Sequence, residues 1–123
     1  MTPLALACYS ILRQLVPSDS DARLSYSDLL AELPPAFGYL DLQNPQHRNE
    51  LSAALGEIVT ACRAARLPAL PALVVLRDGD ELGYPGPGYY PIAHPGVDDQ
   101  LMQEVAWGHE VEAVQQTTYP PAI

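Results

Sequence analysis

The stretch from Leu67 to Pro91, LPALPALVVLRDGDELGYPGPGYYP, limits the possible folds more than any other, because it joins a short β-branched run to a dense cluster of glycine, proline and tyrosine. Leu73, Val74, Val75 and Leu76 read as a buried strand, and Asp78-Gly79 supplies the φ > 0 pair that a tight hairpin turn demands. The return strand is expected to start near Glu81. It should fray at once, since Gly83, Pro85, Gly86, Pro87, Gly88 and Pro91 follow and proline cannot donate to a ladder. A strand, a turn and a stiff aromatic loop are therefore predicted here.

The rest of the chain reads as helices. Residues 3–16 place Leu4, Ala7, Cys8, Ile11, Leu12 and Leu15 at helical spacing, with Pro3 in the opening turn, and residues 17–21 break the pattern. An extended piece around Leu24 leads to Ser25 or Ser27 as the cap of a short helix carrying Leu29, Leu30 and Leu33, which Pro34-Pro35 ends. Asn44-Pro45 starts the clearest amphipathic helix, with Leu51, Ala54, Leu55, Ile58, Val59 and Cys62 on one side. Gly56 weakens its middle by about 1 kcal/mol unless close packing there offsets it. Asp98 or Asp99 can cap a last helix running to about Gln116, and residues 119–123 read as a mobile tail.

A chain of 123 residues is expected to form one domain, here residues 1–118, around a single core. Its net charge of −9 is unevenly placed: residues 1–77 carry seven acids against six arginines, and residues 78–123 carry eight acids with no Lys or Arg. Such a block repels phosphate backbones and attracts basic surfaces, so a basic protein is favoured as partner over nucleic acid. No apolar run approaches the roughly 20 residues that span a bilayer, which argues against a membrane partner. Ala5-Leu6-Ala7-Cys8 is superficially similar to a lipoprotein cleavage box, yet no cation and no long apolar run precede Cys8. The expected location is the cytoplasm, with Cys8 and Cys62 as reduced core thiols.

The order helix, short strand, helix, helix, hairpin resembles a winged-helix domain, with the hairpin as wing. That gives an α+β expectation: a winged-helix-like single domain, helices packed on a small antiparallel sheet or hairpin. RLSYSDLLAEL is similar to the V-x-Y-G-E-L-A opening of the alkyltransferase-like DNA-repair winged helices, and Leu55-Gly56 to that family's Val-Gly packing step. The family's Pro-Cys-His-Arg nucleophile motif has no counterpart near Leu67 to Leu76, and Ala53 stands where it has an arginine, so alkyl transfer is excluded. The chain also resembles small uncharacterised bacterial proteins with five motifs in series: Tyr26 to Leu29, Leu55 to Ile58, Leu67 to Val75, Pro85 to Tyr89, and Trp107 to Glu110. That resemblance implies one coherent domain and no particular activity.

No reaction can be read from the chemistry-bearing residues. His47, His94 and His109 lie in three segments without HxH or HxxxH spacing, and the ligand positions of a calcium loop fail after Glu81, so no metal or other cofactor is expected. A Cys-His nucleophilic pair would have to be built in space from distant residues. Tyr84, Tyr89 and Tyr90 sit in a proline-stiffened frame, where rings give contact area at low entropic cost or else simply cover the sheet. With Asp78, Asp80, Glu81, Asp98 and Asp99 they form the expected protein-binding set. The reading is a non-enzymatic acidic binding protein, for example an immunity or anti-defence inhibitor whose carboxylates occupy the nucleic-acid groove of a nuclease. The alternative is a DNA-binding winged helix using Arg48, Ser52, Arg63 and Arg66 on its third helix, against which six arginines and fifteen acids weigh. The sequence leaves the oligomeric state open.

Overall fold

A computed structural model describes residues 1–16, 22–78 and 81–123. Helix α1 (Pro3–Leu15) begins as the sequence predicts: Pro3 occupies the first turn, and the Thr2 hydroxyl accepts from the Ala5 N–H at 3.3 Å. Thr2 also donates through its own N–H and hydroxyl to Glu57, at 3.2 and 2.7 Å, which ties this end of the chain to a later helix. The break predicted over residues 17–21 lies outside the described residues. Strand β1 (Leu24–Ser25) then feeds helix α2 (Tyr26–Glu32), capped by Ser25, whose buried hydroxyl accepts from the Asp28 N–H at 3.1 Å.

After a 3₁₀ turn at Pro35–Phe37, helix α3 (Pro45–Ala64) starts at Asn44 with the expected cap, its side chain accepting from the Gln46 N–H at 2.9 Å. The apolar side of α3 meets that of α1: Leu51, Ala54, Ile58 and Cys62 pack with Leu4, Ala5, Cys8 and Leu12, all buried. A second 3₁₀ turn, Leu70–Leu73, closes this core from below with Leu70, Ala72 and Leu73 fully buried. Each buried leucine or isoleucine among them contributes roughly 1.5–3 kcal/mol on leaving water, so this three-way contact is the main source of stability.

The sheet departs from expectation. Strand β2 (Val74–Val75) pairs in parallel with β1, in the register Leu24↔Val74 and Ser25↔Val75, instead of opening a hairpin. Both faces of β2 are buried, and a continuous apolar run is what a parallel strand under helices requires. Leu76, expected inside, is 52% exposed. Among the described residues antiparallel pairing is confined to strands β3 (Arg77–Asp78) and β4 (Glu81–Leu82), where Asp78, predicted in the turn, stands opposite Glu81. The turn residues themselves lie outside the described residues. Leu76 donates to the Tyr84 carbonyl and accepts from the Gly83 N–H, both at 2.8 Å; two residues thus stand opposite one, and this bulge ends the ribbon. The winged-helix expectation is corrected accordingly: the domain is mostly helical, with a tiny parallel sheet.

The aromatic segment forms an unpredicted helix, α4 (Tyr89–Ala93). Pro91 is tolerated because it is the third helical residue, where an N–H would have no intrahelical acceptor. Helix α5 (Gln100–Gln115) is capped by Asp99, whose carboxylate accepts from the Met102 N–H at 3.1 Å. It attaches through two polar side chains one turn apart. Trp107 Nε1 donates to the Ala72 carbonyl at 2.8 Å, while Glu110 Oε1 accepts from the Ala69 N–H at 2.8 Å and pairs with Arg63 at 2.6 Å. Residues 119–123, read from sequence as a mobile tail, are held through Tyr119: it is buried, its hydroxyl donates to the Pro68 carbonyl at 2.6 Å, and its carbonyl accepts from Arg13 Nε at 2.9 Å.

Candidate functional site

Two surfaces stand out, and the loop from Gly83 to Gly88 lines the first of them through Gly86, Pro87 and Gly88. Its conformation is fixed from the core: the Gly86 N–H donates to the Tyr26 hydroxyl at 2.9 Å. A Cβ at position 86 would lie 2.9 Å from that oxygen, so only glycine lets the phenol come this close. Burial raises the Tyr26 pKa, and the Gly86 hydrogen bond partly offsets it. The first of the five sequence motifs is thereby bonded to the fourth.

Of the three tyrosines assigned to binding, only Tyr84 is displayed, at 51% exposure, with its ring edge-on to Trp107 at 5.2 Å. The guanidinium of Arg23 lies over the same indole, 5.4 Å from its centroid. Tyr89 is buried, with its ring edge-on to Tyr90 and to His94 and its hydroxyl 2.9 Å from His94 Nε2. Burial, followed by the nearby Glu110 charge, raises its pKa. Tyr90 is half-buried. These two rings are structural walls.

One of those walls borders a groove of about 680 Å³ between α3 and the loop leading into α4. Leu55, Val59, Pro71, Pro87, Tyr89 and Ile92 give it an apolar interior, and Arg48, Asn49 and Ser52 provide polar groups from one side of α3. Gly56 belongs to the same wall: a Cβ there would stand 3.0 Å from Ile92 Cδ1, so the missing side chain is what lets α4 settle against α3. The sequence reading missed this groove, because its walls come from segments far apart in the chain. Its one local signal was a glycine inside an amphipathic helix, next to polar residues on the side turned away from α1.

The second surface is the outer face of α5. Leu101 with its neighbour Met102, Val105, His109 and Glu112 are all exposed and recur at steps of three and four, whereas Trp107, Val111 and Val114 are buried. The side chains of Leu101, Met102 and Val105 are 64, 52 and 41% exposed. Asp98 and Asp99, expected to bind, do stand at the exposed start of this face. Asp80 lies outside the described residues, as do the side chains of Asp78 and Glu81.

The arginine face proposed as an alternative is partly engaged within the fold. Arg48, Ser52, Arg63 and Arg66 are all exposed, but Arg63 is also bound to Glu110 and to the Ala93 carbonyl, and Arg66 lies beyond the helix end. The cysteines are fully buried, and burial pushes the Cys8 thiol up to about 12 and raises that of Cys62, so neither is a thiolate at neutral pH. The histidines stay apart: His47 Nδ1 accepts from the Asp41 N–H at 3.0 Å, His94 meets Tyr89, and His109 is on the surface. Among the described residues no group of three or more His, Cys, Asp or Glu side chains could hold a metal ion, and no helix is long and apolar enough to cross a membrane. Comparison with protein-family models, with curated proteins and with solved structures gave no match.

Proposed function

We propose that this protein is a non-enzymatic binding protein whose α5 face engages a basic protein surface, as an inhibitor occupying the nucleic-acid groove of a nuclease would. One observation carries the reading: Leu101, Met102 and Val105 are uncovered on the same helical stripe as Glu112, just after the exposed Asp98 and Asp99, in the part of the chain that has no Lys or Arg. Uncovered apolar side chains rimmed by charge of one sign are the usual composition of a recognition surface. Carboxylates at the two ends of this face, Asp98 and Asp99 before the helix and Glu112 within it, compete with phosphates for Lys and Arg, and they speed association at low salt.

The test is capture of partners from nuclease-treated lysate of the source cells, with the parent protein and two variants. One stoichiometric basic protein should be retained by the parent, released by salt, and lost with both Leu101→Asp and the pair Asp98→Arg/Glu112→Arg. Leu101→Asp keeps the charge attraction but removes the apolar contact; the arginine pair does the reverse. Retention of the partner by both variants would place the interface elsewhere and sink the proposal.

A further inference from the structure

The groove between α3 and α4 lies outside the α5 face, and its chemistry differs. Its volume, about 680 Å³, falls in the range of small-molecule clefts, roughly 300–1,000 Å³. The interior is carbon: Leu55, Val59, Pro71, Pro87 and Ile92. Its one polar edge carries a single cation. Among the described residues Arg48 pairs with no carboxylate; its Nη1 donates to the Leu42 carbonyl at 3.1 Å, which leaves its other N–H groups for a ligand. Of the six arginines, Arg63 and Arg77 are ion-paired, Arg13 like Arg48 bonds a carbonyl, Arg23 covers Trp107 and Arg66 lies beyond the end of α3, so Arg48 is distinguished by its place on the groove. Asn49 and Ser52, on the same side of the helix, line the groove beside it.

We propose that this groove binds a small anionic amphiphile, a carboxylate with an apolar aliphatic or aromatic body, whose head group takes the guanidinium of Arg48 with Asn49 and Ser52 beside it. A nucleic-acid backbone would need a row of cations, and Arg63 and Arg66 do not supply one here. An extended peptide would need main-chain partners along the groove, and the Gly86 N–H is already bonded to Tyr26. A single charge at the rim of a carbon-lined cleft matches a singly charged head on an apolar body.

The experiment is a titration of the full chain, followed by methyl NMR and calorimetry, with octanoate and 2-naphthoate as anionic probes and octan-1-ol as the uncharged control. At least one carboxylate should saturate, with shifts centred on Leu55, Val59 and Ile92. Arg48→Gln should weaken it about tenfold or more, the scale of one lost charge-assisted hydrogen bond, and octan-1-ol should bind the parent no better than the carboxylate binds that variant. Position 88 offers a blocking change that need not disturb the fold, because a Cβ there meets nothing within 4 Å. Gly88→Phe should abolish binding with unchanged circular dichroism, and Leu101→Asp should leave binding intact. Failure of both carboxylates to saturate at roughly millimolar concentration, or equal affinity in Arg48→Gln, would overturn the assignment whatever becomes of the α5 face.

Discussion

Arg66 has φ 60, the one positive value among the described non-glycine residues. Its position explains it. The Leu67 N–H reaches the Cys62 carbonyl at 2.8 Å and the Arg66 N–H the Arg63 carbonyl at 3.1 Å, which is the Schellman pattern closing α3, with Arg66 where glycine is usual. A residue with a Cβ is held there at a cost of about 1–2 kcal/mol, and the side chain is exposed. Arg66→Gly should therefore raise unfolding stability by about 1 kcal/mol, measured as a higher urea midpoint at constant slope. A lower midpoint would mean that the arginine side chain holds the helix end through a contact of its own. The sequence predicts Arg66 in a binding face of the third helix; the structure adds that its backbone closes that helix.

At the scale of the element, the short helix α4 hangs on His94, its C-terminal cap. The His94 N–H donates to the Tyr90 carbonyl at 2.8 Å and its Nε2 meets the Tyr89 hydroxyl. Burial lowers the His94 pKa below its ordinary 6.5; the Glu110 carboxylate opposes this and the Arg63 cation adds to it. The unfolded chain thus binds this proton at a higher pH than the folded one. Stability from this group is whole above 6.5 and is lost as pH falls below it, toward the folded value. Measured by urea denaturation on either side of 6.5, the parent should lose more stability on acidification than His94→Gln; equal losses would show that the imidazole does not titrate with folding. Helix starts were legible in the sequence because a cap is local: Ser25, Asn44 and Asp99 each act within three residues of themselves. The partner of β2 was not, since Leu24 and Val74 meet across fifty positions and the Asp78-Gly79 pair favoured a hairpin instead. Helix α4 was hidden by Pro91, which removes an N–H that this turn does not use, and the groove by the distance in sequence between its walls.

The whole molecule carries −9, and among the described residues only two ion pairs, Arg63–Glu110 and Arg77–Asp28, offset it. Arg77 and Asp28 are each more than two-fifths exposed, so that pair contributes little. The balance of charge in the folded state is therefore repulsive, since among the described residues Glu110 alone of the acids in residues 78–123 is paired with a cation. Raising salt from about 0.01 to about 0.1 M shortens the screening length from about 30 to about 10 Å. That change should raise the melting temperature, because the repulsion it screens is stronger folded than unfolded. It should also weaken capture of a basic partner, because the same carboxylates provide the attraction. Opposite salt responses of stability and binding mark charge kept for recognition, since ion pairs holding the fold would weaken along with binding. A melting temperature that falls as salt is added would mean that internal ion pairs outweigh the repulsion, and the acidic third would then be explained by the fold alone.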